Sequence, residues 1–144
     1  MAFTGNWVTN TFKVGVLDGI YKFDGNQTFN IALYTNSATL NQNTTAYTST
    51  GESSGGSYSA GGQALTITQV PTVGATGGSV AYLSFANAAW TGSILARGAL
   101  IYLANGTTNP TVCVLDFGAD KTSSSTFTVQ FPAVTNTSAI IRLS

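Results

Sequence analysis

Arg97-Gly98-Ala99-Leu100-Ile101-Tyr102-Leu103-Ala104, Asn105-Gly106-Thr107-Thr108-Asn109-Pro110 and Thr111-Val112-Cys113-Val114-Leu115-Asp116-Phe117 form the continuous stretch that decides the fold. Two apolar runs flank a segment of turn formers, which predicts an antiparallel hairpin. Residues 98–104 and 111–117 are apolar on both faces. Such strands belong in the middle of a sheet or under another subunit. Setting Ala104 opposite Thr111 puts Ala99 against Asp116, Ile101 against Val114 and Leu103 against Val112. Arg97 is then the diagonal neighbour of Asp116 on one face. A charge at the margin of an apolar face needs a partner when it is partly buried. An Arg97–Asp116 ion pair that fixes the register is therefore expected. The alternative is an Arg97 side chain directed to solvent or to a neighbouring subunit.

Outward from this hairpin the pattern keeps a period of two. Phe29, Ile31 and Leu33 alternate with Thr28, Asn30 and Ala32. Leu65 and Ile67 alternate with Thr66 and Thr68, and Phe127, Val129 and Phe131 with Thr126, Thr128 and Gln130. Each reads as a half-buried antiparallel strand. Residues 80–85 are apolar on both faces, and residues 138–143 form a last strand. Near the N-terminus, Phe12, Val16, Leu17, Ile20 and Tyr21 fall on one helical face. Asn or Thr residues at 9–11 serve as N-cap, and Gly19 is the stop. A strand over 13–17 is the competing reading there. The sum is an all-β chain: an antiparallel β-sandwich, jelly-roll-like, of seven or eight strands with one short N-terminal helix.

Residues 36–62 break the pattern. They are rich in Ser, Thr, Gly and Asn, with isolated Leu40, Tyr47 and Tyr58. A loop of this length is a wandering crossover between sheets or an arm that reaches another subunit. The arm reading makes Leu40, Tyr47 and Tyr58 intersubunit contacts. It also implies that removing residues 41–56 leaves the domain folded.

A chain of 144 residues fits a single domain, 1–144. It can bury roughly 70% of its unfolded surface, so neither disulfide nor metal is needed. Charged residues make up 7% of the chain, with net charge +0, against about 25% in an ordinary globular domain. Lys13, Lys22, Arg97, Lys121 and Arg142 are scattered, which disfavours nucleic acid. No apolar run approaches membrane-spanning length. Residues 1–6 carry neither the basic stretch nor the apolar core of a secretory leader. Sparse charge gives weak colloidal protection to a free monomer, which points to assembly.

Catalytic chemistry has little to work with. The chain has no His, which removes Ser-His-Asp and Cys-His catalysis and His metal sites. Cys113 sits in an apolar run and reads as a small core residue. The carboxylates are Asp18, Asp24, Glu52, Asp116 and Asp120. Asp24-Gly25-Asn26 is turn chemistry. Asp116 and Asp120 alone make a weak calcium site. Asp116-Phe117-Gly118 lacks the other kinase motifs. Gly55, Gly56, Gly61, Gly62, Gly74, Gly77 and Gly78 have no phosphate-cradle spacing. Trp7 and Trp90 read as core or under-loop residues rather than sugar platforms. No enzyme activity, cofactor or metal is expected.

Phe29-Asn30-Ile31-Ala32-Leu33-Tyr34, Ala89-Trp90-Thr91, Ala96-Arg97-Gly98-Ala99-Leu100-Ile101-Tyr102, Val114-Leu115-Asp116-Phe117-Gly118 and Phe127-Thr128-Val129-Gln130-Phe131-Pro132 occur in a fixed order. With the helix-like N-terminus and Ile140-Ile141-Arg142-Leu143, this set resembles small virion structural proteins of tailed bacteriophages. The resemblance covers most of the chain. It implies a non-catalytic β-rich subunit displayed in many copies on the virion and assembled in the host cytoplasm. A capsid decoration (cement) protein on the major capsid protein lattice is the first expectation, as a homo-oligomer and specifically a homotrimer. A tail or fibre component is the second. A carbohydrate-binding β-sandwich outside any virus is the third.

Overall fold

The computed structural model describes residues 3–74 and 78–144, so Gly77 lies outside the described residues. The chain is mainly β with one short N-terminal helix. In chain order the elements are β1 (Trp7–Val8), α1 (Asn10–Leu17), β2 (Phe29–Tyr34), β3 (Gln63–Ala64), β4 (Ile67–Val73), β5 (Ala81–Phe85), β6 (Ala88–Thr91), β7 (Ile94–Leu103), β8 (Thr111–Ser123), β9 (Thr126–Val129) and β10 (Ile141–Leu143). They form three antiparallel sheets: β1-β8-β7-β2-β3, β10-β5-β4 and β6-β9. The central hairpin is longer than expected. The short strands β1, β3 and β6 carry too few residues to show a periodicity.

The helix begins and ends where the sequence says it should. Thr9 is the N-cap, with φ −71° and ψ 153°, and its hydroxyl accepts the Phe12 N–H at 3.2 Å. The same residue ties the helix to the sheet, because its own N–H donates to the Val112 carbonyl at 3.0 Å. At the other end Gly19 has φ +70°. The Gly19 N–H then reaches the Val16 carbonyl and the Ile20 N–H the Gly15 carbonyl, a Schellman closure. This reversal corrects the expected apolar face. Phe12 and Tyr21 are buried with ring centroids 4.9 Å apart. Leu17 is 88% exposed and Ile20 44%. The helix stops at Leu17, and the turn swings Tyr21 back into the core while leaving Ile20 outside.

The five-stranded sheet is buried on both sides. From one face Phe29, Ile31, Leu33, Ala99, Ile101 and Leu103 join a core with Phe12, Leu83, Phe85, Trp90, Phe127 and Ile141. That core is shared by α1 and all three sheets. From the other face Ala32, Tyr34, Leu100, Tyr102 and Val114 pack under Phe3, Ala38, Leu40 and Tyr47. The expected solvent-facing side of β2 therefore does not exist. Segment 36–62, whose single charge is Glu52, lies across it.

This placement corrects the arm reading. Leu40 is 1% exposed and Ala38 likewise, so the segment is a cover for its own sheet. Removing residues 41–56 would take Tyr47 off the Tyr102 ring and remove the Thr48 carbonyl that accepts from Tyr34. It would also delete Glu52, with the backbone bonds of Gly51 and Ser53 to β2 and its end. We expect that deletion to abolish cooperative unfolding rather than leave a folded domain. The milder Leu40→Ala should cost about 2–5 kcal/mol, the range for large-to-small changes in a rigid core. Urea titration followed by tryptophan fluorescence checks both. A stable deletion variant, or a Leu40→Ala change near zero, would show the segment to be dispensable.

Candidate functional site

The one charged residue between Asp24 and Arg97 is Glu52, and segment 36–62 is organised around it. Glu52 Oε1 accepts from the Tyr58 hydroxyl at 2.6 Å and from the Gly61 N–H at 2.6 Å. Glu52 Oε2 accepts from the Tyr47 hydroxyl at 2.7 Å. The Tyr58 oxygen in turn accepts the Leu33 N–H of β2 at 2.8 Å. Tyr47 stacks on Tyr102 with centroids 4.8 Å apart, and the Tyr102 hydroxyl donates to the Gly61 carbonyl at 2.8 Å. Tyr34 donates to the Thr48 carbonyl at 2.6 Å. Gly62 allows the close approach that seats this cluster: its φ is +73°, and a Cβ there would run into the Ile31 carbonyl.

Electrostatics keeps these tyrosines as donors. Burial, then the hydrogen bond to Glu52, pushes the Tyr47 and Tyr58 hydroxyls well above their ordinary value. Burial, then the Glu52 charge, does the same to Tyr34. All three stay protonated through the neutral range. Leu40, fully buried, is a contact inside this chain, while Tyr47 and Tyr58 keep part of their rings exposed. Both of these tyrosine hydroxyls are committed to Glu52. In the sequence Glu52 stands only as one of five carboxylates with no assigned partner. Its isolation in a long uncharged stretch was the available signal.

Arg97 and Asp116 do meet. Arg97 Nε lies 3.0 Å from Asp116 Oδ1 and Nη2 lies 3.4 Å from Oδ2, with the two side chains 18% and 12% exposed. The register is not the expected one. Gly98 pairs with Asp116, Ala99 with Leu115, Leu100 with Val114 and Ile101 with Cys113. The ladder slips between Ala96 and Gly98 and again between Ile101 and Tyr102. The first slip leaves Arg97 opposite four residues of β8, Phe117, Gly118, Ala119 and Asp120, so the extra residues lie on β8. The expected register was one residue out at Asp116, and the pair forms beside this irregularity. Ile101 and Val114 in fact belong to opposite faces.

The carboxylate is further held by the Gly118 N–H at 2.8 Å. Burial alone raises the Asp116 pKa, but the Arg97 hydrogen bond, the Gly118 N–H and the Arg97 charge outweigh it and hold it below the ordinary value. The Asp116 backbone N–H donates to Asn6 Oδ1 at 2.7 Å, tying the N-terminal segment to β8.

Beside this pair lies a groove of about 310 Å³, walled by Asn6, Trp7, Leu115, Phe117, Gln130 and Pro132. Its walls offer packing surface and amide groups. Asp116 also lines it but is already satisfied by Arg97. Trp7 is half-buried, and its Nε1 donates to Thr4 Oγ1 at 3.2 Å. Trp90 is 4% exposed and packs against Tyr58 with centroids 5.5 Å apart. Cys113 is a core residue, and burial pushes its thiol up to about 12. Asp24 Oδ1 accepts the Asn26 N–H at 3.0 Å, as its turn requires. Among the described residues no group of three or more His, Cys, Asp or Glu could hold a metal ion. No described helix is long and apolar enough to cross a membrane.

Comparison with protein-family models, curated proteins and solved structures found no match.

Two measurements check this network. Glu52→Gln keeps the shape but turns one acceptor into a donor facing a tyrosine hydroxyl or the Gly61 N–H. We expect a loss of about 1–3 kcal/mol, the cost of an unsatisfied buried group, read from urea denaturation. An unchanged midpoint would remove Glu52 from its organising place.

For the ion pair, a double-mutant cycle of Arg97→Ala and Asp116→Ala should show coupling. The expected size lies between roughly 0–1 kcal/mol for an exposed pair and roughly 3–5 kcal/mol for breaking a buried one. The pH dependence follows from the sign of the shift. The folded carboxyl titrates below its unfolded value, about 3.9. Its contribution is complete above that pH and disappears as pH falls through the folded value. Arg97→Ala should flatten this acid limb of the stability curve. Additive single mutants with an unchanged acid limb would show no pair in solution.

Proposed function

We propose that this protein is a non-enzymatic structural subunit of a tailed-bacteriophage virion, a decoration (cement) protein that binds and stabilises the major capsid lattice. The observation that carries the reading is the distribution of charge. Three of the chain's few charges, Glu52, Arg97 and Asp116, are drawn into internal bonds. The rest of the surface is mainly hydroxyl and amide. Such a surface repels neither its own copies nor a lattice partner, and many identical weak contacts on a lattice add to a strong attachment. The ordered segments that resemble virion proteins support the same reading, as does a jelly-roll-like β-sandwich, which we take as the finer description of these sheets. The protein then acts in the virion, after assembly in the host cytoplasm, as a homo-oligomer, with a trimer the form first expected.

A tail or fibre location is the second reading. The groove beside half-buried Trp7 favours it, because an accessible indole in a groove suits a receptor sugar.

Co-sedimentation of the purified chain with capsids lacking it tests the first reading. We expect saturable binding and a higher temperature of capsid disruption. Binding to purified tails instead, or to glycans through a Trp7-dependent site, would favour the second reading. Association with no virion component would end both.

A further inference from the structure

Of the large apolar side chains left exposed among the described residues, Val14, Leu17 and Ile20 come from α1 and its exit. Val70, Val73 and Leu143 come from the three-stranded sheet, and only Leu95 and Val134 lie elsewhere. A groove of about 210 Å³ lies between α1 and this sheet, with Val16 and Tyr21 on one wall and Pro71 and Leu143 on the other; of the exposed residues just named, Leu143 lines it. Across that sheet Val73 pairs with Ala81 and Ala81 with Leu143, so the three side chains share a face. An apolar groove thus joins α1 to the end of this sheet.

The outer face of α1 has an internal order. Val14 is 60% exposed and Leu17 88%. They stand three residues apart, as positions a and d of a heptad do. Lys13 then takes position g and Asp18, the C-cap, position e. When two helices pack side by side in parallel, g of one meets e of the other, five residues further on. Lys13 and Asp18 have that spacing and opposite charge. Within their own chain they cannot satisfy each other, because residues five apart do not share a helix face. The one ion pair among the described residues is Arg97–Asp116. Antiparallel packing would instead bring g to g and e to e, setting Lys13 against Lys13 and Asp18 against Asp18. The charges thus select a parallel arrangement and a partner with the same helix.

We propose that α1 is a self-association surface. Two copies pack their α1 helices in parallel across a two-fold axis, with Val14 and Leu17 in the seam and Lys13 bonded to Asp18 of the second copy. A β-branched residue at a with Leu at d suits two strands. One heptad of an eight-residue helix is too small to supply the roughly 800 Å² per partner of a stable interface. The apolar rim of the adjoining groove, including Leu143 and Pro71, supplies the rest. The proposal concerns the chain alone and does not rest on the virion reading. It replaces the three-fold closure expected from composition with a two-fold contact.

Sedimentation velocity of the purified full-length chain over a concentration series tests it. The wild type should equilibrate between monomer and dimer. Leu17→Glu should weaken association by at least about tenfold, with unchanged circular dichroism and thermal unfolding, since Leu17 makes little contact within its own chain. Lys13→Glu should weaken it as well, and Lys13→Glu combined with Asp18→Lys should restore it. That rescue is a readout that lost packing would not give. A wild type that stays monomeric at every soluble concentration overturns the proposal. So does an oligomer that survives both Leu17→Glu and Lys13→Glu, or a double charge exchange that fails to rescue.

Discussion

A strand that is apolar on both faces must be covered twice, and β2 and β7 impose that requirement on the whole molecule. One cover is regular: α1 and the two smaller sheets present alternating side chains to it. The other cover is a segment with hardly any regular structure. Its backbone polar groups have no ladder of their own, yet they lie against a buried sheet face. Each needs a partner drawn from side chains or from strand edges. Glu52 answers that need with a single carboxylate that gathers two hydroxyls and one backbone N–H. Charge-assisted bonds of this kind are shorter and stronger than neutral ones. One residue thus holds in place a lid that propensity alone would leave loose.

The lid is also stitched to the sheet it covers. Ser53 N–H reaches the Leu33 carbonyl at 2.8 Å, and Thr35 N–H reaches the Gly51 carbonyl at 2.9 Å. The Ser53 hydroxyl reaches the Leu95 carbonyl at 2.8 Å. Hydroxyl-rich composition therefore has a structural reason. Ser and Thr side chains bond to nearby backbone at little cost in conformational entropy. A lid of long charged side chains would need each buried charge paired. Low charge and high Ser/Thr content follow from covering a sheet with loop.

Legibility in the sequence tracks periodicity. The central hairpin could be read because its apolar runs and the six residues between them are unmistakable. The N-cap at Thr9 and the stop at Gly19 could be read because capping is local chemistry. The hairpin register could not. Its two irregularities, in β8 opposite Arg97 and near Val112, change which side chains share a face, and nothing in residue type marks them. The destinations of Leu40, Tyr47 and Tyr58 were equally hidden. A segment without a period says that these residues are apolar, not which surface they meet. The Arg97–Asp116 pair was legible in identity although not in register, because a partly buried charge beside a hairpin has few partners to choose from. In the helix, local chemistry marks the ends but not the faces. A periodic count continued past Gly19, where the chain had already turned.

The internal bonds leave the outside with few specific charges. Lys13, Asp18, Lys22, Asp24, Asp120, Lys121 and Arg142 are exposed; Lys22 lies near Asp24 and Asp120 is followed by Lys121. On a heavily charged surface one Lys and one Asp carry little information, because other pairs compete and salt screens them all. On a nearly neutral surface the same two charges dominate the local field. Placed at the flanks of an apolar strip, they discriminate between parallel and antiparallel contact even though each bond is weak. Specificity is a difference between competing arrangements, and sparse charge makes that difference large relative to the total. The composition that looked like a lack of functional chemistry is therefore what lets a short helix select its partner.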